Sequence, residues 1–318
     1  MKKSFITLQI ILVMTQLAFS QNGGISHRIS VEGNYQLSAI DYPGEGIPYL
    51  LLHGFPDNSI IYNKLIAELQ KNGKRCIAFD FMGWGDSDKP KNKNYLYSVK
   101  QQEIEIQSVV DFFELEAVRL VVHDMAGPPA IDFAIGNESK VEELILLNTY
   151  YHSTKSRREP PTITMFSAPV LKYMFTTFGK LNFVFKPVFK TQMKPFFNDE
   201  DIRQEYVSKF LPQFLEKEHS KNALFKIIRQ VPQDVKQNKE KLATLKGFQK
   251  PVKVIFGSTD KYLGVDLARE FASIFPNAKL HLVDKCNHYP QIEYPLLVTE
   301  ILIENPISSL SNYQEPVK

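Results

Sequence analysis

Tryptophan and cysteine are the scarcest residues here: the 318 residues hold 1 Trp and 2 Cys. No Cys/His grouping has the spacing of a zinc site, and no glycine-rich loop suits a nucleotide. Neither a metal nor a cofactor is therefore expected. Two cysteines allow a single disulfide. Cys76 opens an apolar strand and Cys286 lies in a loop near the C-terminus. In the arrangement argued below they fall at opposite ends of a sheet, so both are expected free. A formal net charge of +3 is too slight to imply a nucleic-acid partner. Long apolar runs are scarce as well. About 20 consecutive apolar residues are usual for a membrane span. The stretch Phe5 to Leu17 is shorter and carries Thr7, Gln9, Thr15 and Gln16. With Lys2 and Lys3 before it and Ala18-Phe19-Ser20 after it, it has the form of a secretory signal peptide over residues 1–20. An uncleaved anchor is the alternative. The mature chain is expected to be exported, periplasmic or secreted, with no span of its own.

What is present is alternation. His27 to Val31 and Tyr35 to Ala39 read as a hairpin of outer strands, and Tyr49 to Leu52 as a short apolar strand. A helix follows, with Ile61, Leu65, Ile66 and Leu69 on one face and Asn72-Gly73 as its stop. Cys76 to Phe79 is the next strand, Ser98 to Leu115 a long amphipathic helix, and Val118 onward another buried strand. Ala130 to Ala134 read as helix and Leu144 to Leu147 as strand. Such alternation indicates an α/β fold with a mostly parallel sheet. It stops at Tyr150 and resumes with the strand Val252 to Phe256, a helix near Asp266 to Phe275, the strand Leu280 to Val283 and a last helix from Pro295. Residues 150–246 between are Phe-rich, with prolines punctuating short helical pieces, and hold 18 Lys and Arg against 9 Asp and Glu. An inserted helical block between two βα units is read as a cap over the sheet's carboxyl edge, its charge as a solvated face. The Phe residues imply an apolar pocket and an apolar small molecule as ligand.

The strand from Val118 meets its helix in a very tight turn, Val121-Val122-His123-Asp124-Met125-Ala126-Gly127. Asp124 stands at the apex, where a nucleophile elbow places its reactive side chain above the sheet's carboxyl edge. Asp is also a preferred N-cap, so this stretch alone fits either role. Two further strand ends carry candidates: Asp260 in Gly257-Ser258-Thr259-Asp260, and His288 in Cys286-Asn287-His288. Singly, one would be a turn residue and the other a loop histidine. Together with Asp124 they give the order nucleophile, acid, histidine, each beside the edge where open α/β sheets hold ligands.

These residues resemble the α/β-hydrolase superfamily, and within it the aspartate-nucleophile branch of epoxide hydrolases and haloalkane dehalogenases. The likeness rests on His53-Gly54-Phe55-Pro56, the Asp80 to Pro90 loop, Val122-His123-Asp124, Asp260 and His288, and runs from Ile29 to Ile303. It implies a mostly parallel eight-stranded sheet flanked by helices, formed by residues 21–149 and 247–318, with 150–246 as the helical cap. A carboxylate attacking an acyl carbon would give an anhydride, which disfavours peptidase and simple esterase chemistry. At a saturated carbon it gives an alkyl ester, expelling a halide or opening an epoxide. His288, oriented by Asp260, would then activate water to hydrolyse that ester. By the same resemblance the backbone N–H groups of Phe55 and Met125 form the oxyanion hole. Dehalogenases hold the halide with a Trp after the nucleophile and an Asn beside the HG motif or a cap Trp. Met125 and Phe55 fill the first two slots here, and Trp84 lies in another loop. Epoxide hydrolases meet the opening oxygen with cap tyrosines, for which Tyr173 and Tyr206 are candidates, with His53 a further possible substrate contact. The expected activity is epoxide hydrolysis, the alternatives dehalogenation and a capped scaffold that binds an apolar ligand without turning it over. The oligomeric state stays open.

Overall fold

A computed structural model describes residues 23–92, 95–161, 163 and 179–304. The signal-peptide expectation and Tyr173 lie outside the described residues. Eight strands form one sheet: β1 (Ile25–Val31), β2 (Tyr35–Tyr42), β3 (Glu45–Leu52), β4 (Lys74–Asp80), β5 (Val118–Asp124), β6 (Val141–Thr149), β7 (Val252–Gly257) and β8 (Ala278–Val283). Their order is β1-β2-β4-β3-β5-β6-β7-β8. β2 is antiparallel to β1 and β4, and every other pairing is parallel. β5 lies in the middle, Leu120 facing Leu50 on one neighbour and Leu144 on the other. Its Val118, Leu120, Val121 and Val122 are buried, as both faces of a helix-covered parallel strand must be.

The helices α1 (Asn63–Lys71), α2 (Val99–Phe112) and α3 (Gly127–Gly136) follow β3, β4 and β5. Ser98 caps α2, accepting the Gln101 N–H as sequence chemistry asks. α3 starts three residues before the expected Ala130, so Pro128 and Pro129 occupy its first turn, where their missing N–H groups cost nothing. Between β6 and β7 run α4 (Asn182–Gln192), α5 (Glu200–Leu215), α6 (Ser220–Asn238) and the short α7 (Leu242–Leu245). Here the sequence expectation needs correction. Pro187, Pro212 and Pro232 sit inside α4, α5 and α6 rather than ending short pieces. A helix proline forfeits one ladder bond. On α6 that loss is outweighed by one buried apolar face, Leu224, Ile227, Ile228, Val231 and Val235. The remaining helices, α8 (Val265–Ile274), α9 (Pro290–Glu293) and α10 (Pro295–Ile303), complete the flanks. Cys76 and Cys286 are both buried and free. No helix among the described residues is long and apolar enough to cross a membrane.

Candidate active site

Asp124 ends β5 with φ 46°, the left-handed region that an ordinary side chain occupies only under constraint. The constraint is visible on three sides. The Thr149 hydroxyl donates to the Asp124 carbonyl at 2.5 Å. A Cβ on Gly54 would come within 2.5 Å of the Asp124 Cβ, and one on Gly127 within 2.2 Å of the Tyr150 carbonyl oxygen. Both positions therefore require glycine so that the turn can close. The Phe55 N–H donates to Asp124 Oδ2 at 3.0 Å, leaving Oδ1 on the side of His288, 3.8 Å from its Nε2.

His288 is oriented from behind. Its Nδ1 donates to Asp260 Oδ2 at 2.7 Å, which turns Nε2 toward Asp124. Asp260 accepts three further bonds: from the Tyr262 and Leu263 N–H groups on Oδ1, at 2.8 and 3.1 Å, and from Asn148 Nδ2 on Oδ2 at 2.8 Å. Burial alone would raise the Asp260 pKa. The facing His288 charge and these donors outweigh it and hold the carboxyl at about 2. For His288 burial disfavours the cation, but Asp260, then Asp124 and Asp57, lift its pKa to about 9. Burial pushes the Asp124 carboxyl up from its ordinary value, against the pull of His288, His123 and the Phe55 N–H. Asp124, Asp260 and His288 thus converge at one sheet edge.

Other expected contacts do not reach this point. His53 accepts the Phe81 N–H on Nε2 at 3.0 Å and bonds the Gly54 carbonyl through Nδ1 at 2.9 Å, so both ring nitrogens hold backbone. Burial lowers its pKa, and it braces the loop that carries Phe55. Tyr206 is buried on α5 against Phe197 and Phe210, its hydroxyl without a hydrogen-bond partner among the described residues. Neither lines the cavity above Asp124. Trp84 is buried edge-on against Phe55 and Phe214 and is likewise outside the cavity wall.

Two groups were not foreseen. Asn148, at φ 27° at the end of β6, bridges Asp260 to the Gly257 N–H, which it accepts at 2.9 Å. A lone Asn closing the apolar run Leu144 to Leu147 was the available signal. The second is a buried cluster beneath the histidine. His123 Nε2 bonds the His288 carbonyl at 3.0 Å, its Nδ1 lies 3.5 Å from Asp57 Oδ2, and the Tyr289 hydroxyl donates to Asp57 Oδ1 at 2.9 Å. The residue before Asp124 thereby fixes the backbone of His288.

Above Asp124 lies a cavity of about 310 Å³. Its floor includes Phe55, Asp124, Met125 and His288, and α4 and α6 contribute Val184, Phe185, Val188, Phe189, Leu224 and Ile228. Apolar walls with few polar groups at one end are the ordinary make-up of a small-molecule site. Tyr150 and Tyr262 are the tyrosines in the wall among the described residues.

The family model of the alpha/beta hydrolase fold matches residues 48–295, and the chain belongs to that family. It is a hydrolase of that superfamily. It is 25% identical over 312 residues to a cis-3-alkyl-4-alkyloxetan-2-one decarboxylase of Shewanella oneidensis, covering 91% of this chain and 94% of the relative. A haloalkane dehalogenase of Mycolicibacterium paratuberculosis is 34% identical over 123 residues, 37% of this chain and 39% of that one. Among solved structures, the epoxide hydrolase CorEH superposes with a TM-score of 0.66 at 20% identity, over 87% of this chain and 96% of that one.

Proposed function

We propose that the protein is an aspartate-nucleophile hydrolase that opens a strained oxygen ring, an epoxide first of all, on an apolar small molecule. One observation carries this reading: a carboxylate at an elbow, held by the Phe55 N–H and 3.8 Å from an acid-braced histidine, beneath an apolar cavity. Asp124 Oδ1 attacks a ring carbon, the carbon–oxygen bond of the ring breaks, and the released oxygen takes a proton from the Tyr150 hydroxyl. The product of this step is an alkyl ester of Asp124. Esterification removes the Asp124 charge, one of the causes that raise the His288 pKa, so the imidazole becomes a competent base. His288 then takes a proton from water, the resulting hydroxide attacks the ester carbonyl, and the acyl–oxygen bond breaks. A diol leaves, Asp124 is restored, and the proton on His288 returns to the Tyr150 phenolate through solvent.

A second reading draws on the relative that covers nearly the whole chain. There the ring is a four-membered β-lactone, and loss of CO₂ from that ring leaves an alkene. The same floor would serve both.

The test is intact-protein mass spectrometry of His288→Gln, which spares ester formation and blocks ester hydrolysis. Incubation with an alkyl epoxide is expected to add the whole substrate mass, on the peptide holding Asp124. A haloalkane would add the substrate mass less the hydrogen halide. With the β-lactone, wild-type protein releasing alkene and CO₂ would favour the second reading. No adduct in His288→Gln, or one that persists in His288→Gln with Asp124→Ala, rejects Asp124 as nucleophile.

A further inference from the structure

The cavity wall holds a cation that the proposed chemistry does not use. We propose that Arg157 forms a carboxylate-binding subsite, so that the substrate is an amphipathic acid: an apolar body carrying the reactive ring, and a carboxylate held by the guanidinium. The inference rests on the proposed reading in one respect, that the same cavity receives the reacting carbon.

Arg157 is set in place by backbone. It bridges to Leu263 in an antiparallel pair, and the Arg158 N–H donates to the Tyr262 carbonyl at 3.0 Å. Tyr262 and Leu263 are the residues whose N–H groups hold Asp260. The segment bearing Arg157 is therefore pinned to the loop of the catalytic acid, and its distance from the floor is fixed. The guanidinium stacks on the Tyr150 ring, 4.2 Å from its centroid. Only 5% of its side-chain surface is exposed.

Its bonding is incomplete. Glu159, itself mostly buried, accepts from Nη1 at 2.7 Å, while Nε is buried with no acceptor among the described residues. Burying a guanidinium is costly unless its donors are met, and an unmet buried N–H in a folded protein calls for an explanation. Its place in the wall of an apolar cavity supplies one. A carboxylate matches the guanidinium fork, accepting two parallel bonds. A neutral polar group would meet the Nε donor alone, without the second parallel bond of the fork. The other cations in the wall are accounted for differently: His288 faces Asp124 and Asp260, and Arg158 is exposed.

Octanoate and its neutral isostere octanamide are the probes, and calorimetric binding to the full chain is the readout, with no turnover required. Wild type should favour octanoate by on the order of 10- to 100-fold, the range of a charge-assisted hydrogen bond. Arg157→Gln should abolish that preference, while His288→Gln and Arg158→Gln keep it. Equal affinities in wild type overturn the proposal, as does a preference that survives Arg157→Gln. Should Arg157→Gln fail to fold, loss of the preference in His288→Gln or Arg158→Gln overturns it instead, by assigning the carboxylate to another cation. Failure of ring opening would leave this binding result intact, and equal binding would leave the Asp124 ester intact, so the two readings fail separately.

Discussion

The floor and the roof of the cavity are built on different principles. On the floor each reactive side chain is held by directional bonds from elements that the sheet itself fixes. Asp260 accepts four hydrogen bonds, and His288 is tied at both its ring and its carbonyl. In the roof, α4 and α5 meet through packed rings, Phe185, Phe189 and Phe214 lying within 5.7 Å of one another between centroids. Ring packing is strong in sum but weakly directional. The floor therefore fixes where its side chains stand, and the roof sets a volume and a polarity. That division predicts where damage shows: floor substitutions in the rate of a chemical step, roof substitutions in which molecule is accepted.

The largest expected effect tests the floor. Asp260→Asn keeps the size of the side chain but inverts the proton logic, because an amide nitrogen facing His288 Nδ1 favours the tautomer with the proton on Nε2. That tautomer cannot take a proton from water. Ester hydrolysis should slow by about 10⁴, as expected when an acid that orients a histidine is neutralised. Ester formation should be nearly unchanged, so the adduct accumulates in stopped-time mass spectra. Equal slowing of both steps would show that Asp260 holds up the floor as a whole and has no separate role through His288.

Legibility in the sequence follows the same line. Asp124, Asp260 and His288 could be read because Asp124 ends one apolar strand and the other two stand in the loops just after two more. Pro128 and Pro129 suit the first turn of a helix, and α3 holds them there from Gly127, three residues ahead of the first clearly helical residue, Ala130. Asn148 and Asp57 escaped because their work is done across the sheet, 112 and 66 positions along the chain from Asp260 and His123. No local pattern encodes such a pairing. The roof was legible in composition alone. Its prolines suggested short pieces, whereas burial of one face carries each helix through them. Tyr206 and His53 were chosen by residue type, and type does not say which way a side chain points. The same blindness hid Arg157, one of 18 basic residues in its segment, whose significance lies in being buried.

A smaller effect comes from titrating the floor. His288 has its pKa raised from 6.5 to about 9 on folding. Its contribution to stability is therefore complete below pH 6.5 and lost as the pH rises through 9. Asp260 runs the other way, complete above pH 3.8 and lost as the pH falls toward 2. The pair stabilises fully between these limits. Denaturant melts of wild type and His288→Gln should differ by on the order of 3 kcal/mol more at pH 6 than at pH 10. Lys89, which His288 does not reach, titrates in both proteins and cancels in the difference, whereas the Glu293 and Asp124 carboxyls, which His288 pulls down, rise in the variant and are followed alongside. A gap independent of pH would mean that the imidazolium is not what Asp260 stabilises.

The smallest expected effect concerns the outer face of the roof. Phe183 stands in the first turn of α4 with 77% of its surface exposed, six residues before Phe189, which is 7% exposed and lines the cavity. The two share residue type and helix and differ in what surrounds them. Phe189→Ala should cost roughly 3–5 kcal/mol, the range for a truncated buried ring. Phe183→Ala removes little packing, replaces a residue of lower helix propensity with the best one, and should change stability by less than about 0.5 kcal/mol. Octanamide affinity should stay within about twofold, since Phe183 is absent from the cavity wall. A loss of 2 kcal/mol or more in Phe183→Ala would show that this ring is covered in solution, and the roof would then have an occupied outer side as well as an inner one.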